Sequence, residues 1–252
     1  DTDGFVIEGM TENTFLGHSV SGAGDVNGDG LDDFIVGAYQ ADPNEPNAGA
    51  SYVVYGRPDV AGIKDGTAID LADVVADNGG FVINGALEED QSGYSVSGAG
   101  DVNGDGLDDL IVGSPESDPN GILSGASFVV FGKTDGAAVE LSTIEANPDD
   151  TPAAGFMING VAADDSLGRS SVSNAGDVNG DGLDDLIIGA IGDDPNDERS
   201  GASFVVYGKT SGDVVELSDI QKSNGGFVIN GVGEDDSSGW SVSGAGDVNG
   251  DG

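Results

Sequence analysis

The chain has 252 residues, with 47 acidic against 7 basic and a formal net charge of −40; it has no cysteine and a single histidine. This balance excludes binding to nucleic acid, which needs basic surface. The lack of cysteine excludes a disulfide framework and thiolate metal sites. No stretch approaches the roughly 20 apolar residues of a membrane helix, so no membrane insertion is expected. Acidic chains can be disordered, but hydrophobic residues make up 37% of this one and fall in short, regular clusters.

Taken in chain order, one unit recurs. A run GFVIEG begins at Gly4 and returns as GFVING at Gly80, GFMING at Gly155 and GFVING at Gly226. Each is followed by a small-residue run of the SVSGAG type, and then by DVNGDG loops starting at Asp25, Asp101, Asp177 and Asp247. After the loops come LDDFIVGA, LDDLIVGS and LDDLIIGA, then GASYVVYG, GASFVVFG and GASFVVYG. The apolar runs are short, β-branched or aromatic, and bounded by Gly and Pro, which predicts four strands per unit. Between the third and fourth strands, Leu71/Val74, Leu141/Ile144 and Leu217/Ile220 are spaced for one helical turn or an irregular loop.

Four strands in each 70–76-residue unit predict an all-β β-propeller with four-stranded antiparallel blades. The small residues suit the innermost strand, where blades crowd the axis. On this phase, blades span residues 16–86, 92–161 and 167–232. Residues 1–15 supply an outer strand of another blade, and 239–252 open a further one. Three blades do not close a ring, so a partial propeller is expected.

The loops carry the chemistry. In the first, side-chain oxygens fall at positions 1, 3, 5 and 9: Asp25, Asn27, Asp29 and Asp33. Position 7, Leu31, offers its backbone carbonyl. The set recurs as Asp101, Asn103, Asp105, Leu107 and Asp109, and as Asp177, Asn179, Asp181, Leu183 and Asp185. Asp247, Asn249 and Asp251 begin a fourth copy. All-oxygen ligation with three carboxylates suits Ca²⁺, which takes 6–8 oxygens; zinc would want Cys or His. The loop is not an EF-hand, which needs Glu at position 12. Val36, Val112 and Ile188 stand there.

The DVNGDGLDDLIVG stretch after SVSGAG, with GASFVVFG downstream, resembles the FG-GAP repeat of integrin α-subunit propellers and their bacterial relatives. That resemblance implies a seven-bladed parent propeller with Ca²⁺ in the loop between the first and second strands. It also implies a non-catalytic extracellular or cell-surface module, a scaffold or adhesion element. Its partner would be an unidentified protein or glycan ligand, or other copies assembling through propeller surfaces. The alternative is a non-catalytic propeller part of a larger secreted hydrolase.

Two further features stand out. Acidic residues recur before each inner strand (Glu12; Glu88, Glu89 and Asp90; Asp164 and Asp165; Glu234, Asp235 and Asp236) and after each second strand (Asp42 and Glu45; Glu116 and Asp118; Asp193, Asp194 and Asp197). They read as solvated charge or as weak cation sites. One position breaks the repeat: His18, Tyr94, Arg169 and Trp240 follow the same glycine. It is either a tolerant surface position or part of a recognition surface.

Overall fold

A computed structural model describes residues 6–9, 11–57, 68–76, 79–146 and 153–246. The glycine-rich SVSGAG runs form short inner strands: β2 (Val20–Gly24), β7 (Ser95–Gly100) and β12 (Val172–Gly176). Past each loop the chain returns as β3 (Asp33–Ala38), β8 (Asp109–Ser114) and β13 (Asp185–Ala190). The aromatic and β-branched GAS-type segments give β4 (Ala50–Val54), β9 (Ala126–Val130) and β14 (Ala202–Val206). The outer strands are β6 (Gly80–Asn84), β11 (Gly155–Asn159) and β16 (Gly226–Asn230). Each set of four is an antiparallel meander. The three sheets are the predicted propeller-type blades.

Strand alternation places the core between sheets rather than within one. On the middle sheet, Leu110, Val112, Phe128 and Val130 pack with Ile35, Val53, Phe81 and Ile83 of the first sheet. The alternate residues Ile111, Val129, Phe156 and Ile158 pack with Leu186, Ile188, Phe204 and Val206 of the third. Every residue of β8 and β9 is buried, which explains their continuous apolar character. The corresponding outer-strand residues of the third sheet, Phe227 and Ile229, are 37% and 49% exposed; among the described residues, no further sheet covers them.

The connection between third and fourth strands holds more structure than one helical turn. It contains β5 (Ala68–Asp70), β10 (Val139–Glu140) and β15 (Val215–Glu216), each running into a short helix: α1 (Leu71–Val75), α2 (Leu141–Ala146) and α3 (Leu217–Ile220). The predicted apolar pairs Leu71/Val74, Leu141/Ile144 and Leu217/Ile220 are buried on these helices. The short strands leave their own unit. β10 pairs in parallel with β6 of the preceding sheet, and β15 with β11. β5 pairs likewise with β1 (Val6–Glu8). The four-stranded expectation thus becomes five strands in the first two sheets. Two residues are too short to show strand periodicity, and an unpaired sheet edge recruits them.

Glu140 secures this link between units. Its carboxylate accepts N–H bonds from Asn84 and Asn44, both at 2.7 Å. Glu216 does the same with Asn159 and Asn120, at 2.8 and 2.9 Å. Glu140→Ala is expected to cost about 1–3 kcal/mol, the range for charge-assisted bonds. The same change should speed proteolysis within the connection around residues 133–154, as read by limited digestion against the unsubstituted chain. Among the described residues, no helix is long and apolar enough to cross a membrane.

Candidate metal centre

Each DVNGDG segment is wound by its own side chains. In the second loop, Asp101 Oδ1 accepts the N–H groups of Gly104 and Asp105 at 2.7 and 3.1 Å, and its Oδ2 accepts that of Gly106 at 2.9 Å. Asn103 Oδ1 accepts from the Asp105 N–H, and Asp105 Oδ1 from the Leu107 N–H. Local Asx bonds of this kind compete with regular structure, which is why the chain leaves the sheet here. Gly106 adopts φ +89°, a left-handed turn that glycine makes without steric cost. The first and third loops repeat the pattern around Asp25 and Asp177. Positions 1, 3 and 5 are thereby gathered around one short turn. Asp247, Asn249 and Asp251 lie outside the described residues.

Position 9 behaves differently. Asp109 is fully buried, its Oδ2 accepting the Val102 N–H at 2.9 Å and its Oδ1 the Gly132 N–H at 2.8 Å. Asp33 and Asp185 hold Val26 and Gly56, and Val178 and Gly208, in the same way. The residue therefore pins the loop to the end of the third strand. Burial pushes the Asp109 carboxyl up to about 7, against the pull of its two N–H bonds, and Asp105 and Asp101 push in the same direction. Asp33 rises to about 6 for the same reasons, and Asp185 also rises.

The donor set suits a hard cation. Positions 1, 3, 5 and 9 are all oxygen donors, and carboxylate oxygens that accept one N–H keep a second lone pair. The charges at positions 1 and 5 bear on the position-9 carboxylate. Among the described residues, however, no three acidic or histidine side chains converge into a ready-made ion-binding group. Their oxygens are engaged by backbone N–H groups instead.

Position 8, outside the expected ligand set, links one loop to the next. Asp108 Oδ2 accepts the Asp25 N–H at 2.7 Å, while the Asp108 N–H donates to the Asp25 carbonyl at 3.2 Å. Asp184 clasps Asp101 of the middle loop identically, at 3.0 and 3.1 Å. Successive loops are thus bound to one another. Gly24 makes room for this: a Cβ there would lie 2.1 Å from Asp108 Oδ2, at φ +74°. The only sequence signal is the doubled Asp of each LDD.

At the other ends of these strands, the two acidic loop sets come together. Backbone bonds join Glu116 to Asp90 and Gly192 to Asp165. Much of this charge is used locally. Asp90, Asp165 and Asp236 cap the N–H groups of Leu87, Ala162 and Gly233. Asp42, Asp118 and Asp194 cap those of Asn47, Leu123 and Arg199. Burial raises Asp90 to about 6 and Asp165 to about 7. A folded-state pKa above the unfolded value favours the fold at low pH, and that contribution fades as pH rises through about 6–7. Tm in chelator should therefore be several degrees higher at pH 5 than at pH 8. A calorimetric scan showing the reverse would contradict this.

The repeat-breaking position also assembles. His18 stacks edge-on against Tyr39 and Tyr94, with centroids 4.9 and 4.7 Å apart, and Tyr39 lies 4.8 Å from Tyr94. Arg169 lies over Tyr94 at 5.5 Å and pairs with Glu116. Trp240, at the same repeat position, is 67% exposed.

Comparison with known proteins matches the FG-GAP repeat family at residues 16–54, 92–131 and 168–206. Integrin alpha-PS2 of Drosophila melanogaster is 29% identical over 217 residues, covering 85% of this chain and 13% of the relative. Integrin alpha pat-2 of Caenorhabditis elegans is 33% identical over 135 residues, 53% of this chain and 10% of the relative. Integrin alpha-IIb of Mus musculus is 26% identical over 192 residues, 74% of this chain and 16% of the relative. The chain therefore spans less than a fifth of the length of these curated relatives. With one match on each of its three meander sheets and integrin α-subunits among its relatives, the chain carries three FG-GAP repeats on propeller-type blades.

Proposed function

We propose that this chain is a calcium-binding extracellular scaffold or adhesion module, without catalytic activity of its own. The observation that carries this reading is the threefold loop in which one Asp gathers three backbone N–H groups and a second carboxylate, at position 5, lies on the same turn. Such a turn concentrates negative charge that a divalent cation neutralises, and its donors are all oxygen. In each copy, the residues assigned to the ion are the Asp at positions 1, 5 and 9, the Asn at 3 and the Leu carbonyl at 7. The Asp at position 8 would pass order at one loop to the loop before it.

The adhesion part of the reading rests on the relatives, which are named as integrin α-subunits, and on the row formed by His18, Tyr39, Tyr94 and Arg169. His18 is exposed and the other three are half-buried, and aromatic and Arg side chains are favoured at recognition surfaces. A protein or glycan is the expected ligand class, with self-assembly through propeller surfaces as the other possibility.

Isothermal titration of the chelator-treated chain with calcium chloride tests the metal reading. The expected result is at least three bound ions, with one fewer in Asp101→Ala. An absence of calcium heat in the unsubstituted chain would remove the proposal.

A further inference from the structure

We infer that a divalent cation of the calcium type also sits between Asp165 and Asp193, at the ends of the strands opposite the DVNGDG loops. Both residues are nearly inaccessible, at 4% and 6% exposure. The Oδ2 atom of Asp193 is buried and has no hydrogen-bond partner. The charges of Asp193 and then Asp194 bear on Asp165, and the Gly192 N–H donates to the Asp165 carbonyl, tying the two loops together. Among the described residues, no basic side chain forms an ion pair with either; Arg169 pairs with Glu116 and Arg199 with Asp235.

Comparison between repeats isolates the feature. The N–H groups of Ala41, Ser117 and Asp193 donate to the carbonyls of Ala38, Ser114 and Ala190, so these three residues occupy equivalent places. In the middle unit, Ser117 bonds to the Asp90 carboxylate and satisfies it. In the third unit, a second carboxylate stands where that hydroxyl is. Two buried like charges without a counter-charge are costly, and such groups are normally paired or bound to a metal. The available atoms are all oxygens: the two carboxylates and the carbonyls of the joined loops, with no third acidic side chain converging on them among the described residues. That set fits calcium, which accepts irregular oxygen coordination, better than magnesium, which demands a near-ideal octahedron. A proton shared by the two carboxylates is the competing occupant.

The test counts calcium per chain by isothermal titration, comparing the unsubstituted chain with Asp193→Ser. This variant copies the Ser117 arrangement and is expected to fold. One fewer ion is the expected result, and combination with Asp101→Ala should remove a second. Should Asp193→Ser not fold, Asp193→Asn, which keeps the side-chain volume, carries the same comparison. Equal ion counts would overturn the inference, as would a variant that changes only the protons taken up or released. The site stands independently of the loops: loss of an ion in Asp193→Ser, with none lost in Asp101→Ala, would sink the loop assignment and leave this one intact.

Discussion

Adding calcium to the chelator-treated chain is expected to raise its Tm by roughly 15–30 °C. The size follows from three complete loops. A ligand that binds only the folded state stabilises it by about 2.7 kcal/mol when present at one hundred times its Kd. Three such sites give on the order of 8 kcal/mol. For a chain of this length, each kcal/mol moves Tm by about 2–4 °C. The starting point is unfavourable, because two carboxylates about 4 Å apart repel by roughly 1 kcal/mol in water and about 4 kcal/mol in a partly desolvated site. The chain's net charge of −40 adds general self-repulsion. Magnesium should give a smaller shift than calcium at equal concentration. Scanning calorimetry in chelator, magnesium and calcium makes the check, and coincident transitions in all three would refute a calcium-dependent fold.

The second large effect separates two carboxylates of one loop. Asp109→Ala is expected to destabilise the chain by about 2–4 kcal/mol even in chelator, because in a buried site it takes away the acceptor of the Gly132 N–H and the shorter of the two acceptors of the Val102 N–H, which keeps only the Gly100 carbonyl at 3.2 Å. An orphaned buried N–H costs about 1–3 kcal/mol, and the emptied side-chain volume adds to it. Asp101→Ala frees N–H groups that water reaches, so its cost in chelator should be well under that of Asp109→Ala. Its main effect should be a smaller gain in stability on adding calcium. Urea denaturation of both variants, with and without calcium, resolves the two roles. If both variants lose stability only when calcium is present, Asp109 is a ligand and not a staple. If neither responds to calcium differently from the parent, the loop assignment fails.

The sequence by itself determined the repeat, the strand order within each unit and the position of the loops. These follow from local rules. Short continuous apolar runs such as DLIVGS make strands buried on both faces, Asn-Gly and Asp-Gly make turns, and oxygen side chains at alternate positions of one turn must lie near each other. Tertiary structure alone decided what crosses between units. β10 and β15 are two residues long and become strands only because a neighbouring sheet edge is open to them. Asp108 meets Asp25, and Gly192 meets Asp165, across stretches of chain that constrain neither pairing. The burial of Asp109 likewise comes from the packing of one sheet against the next, since the same Asp in an isolated loop would be solvated. Sequence spacing governs which atoms share a turn, whereas desolvation and inter-sheet contact depend on how the blades stack. In the first and third loops as in the second, position 9 is thus a candidate ligand by its spacing and a structural anchor by its surroundings.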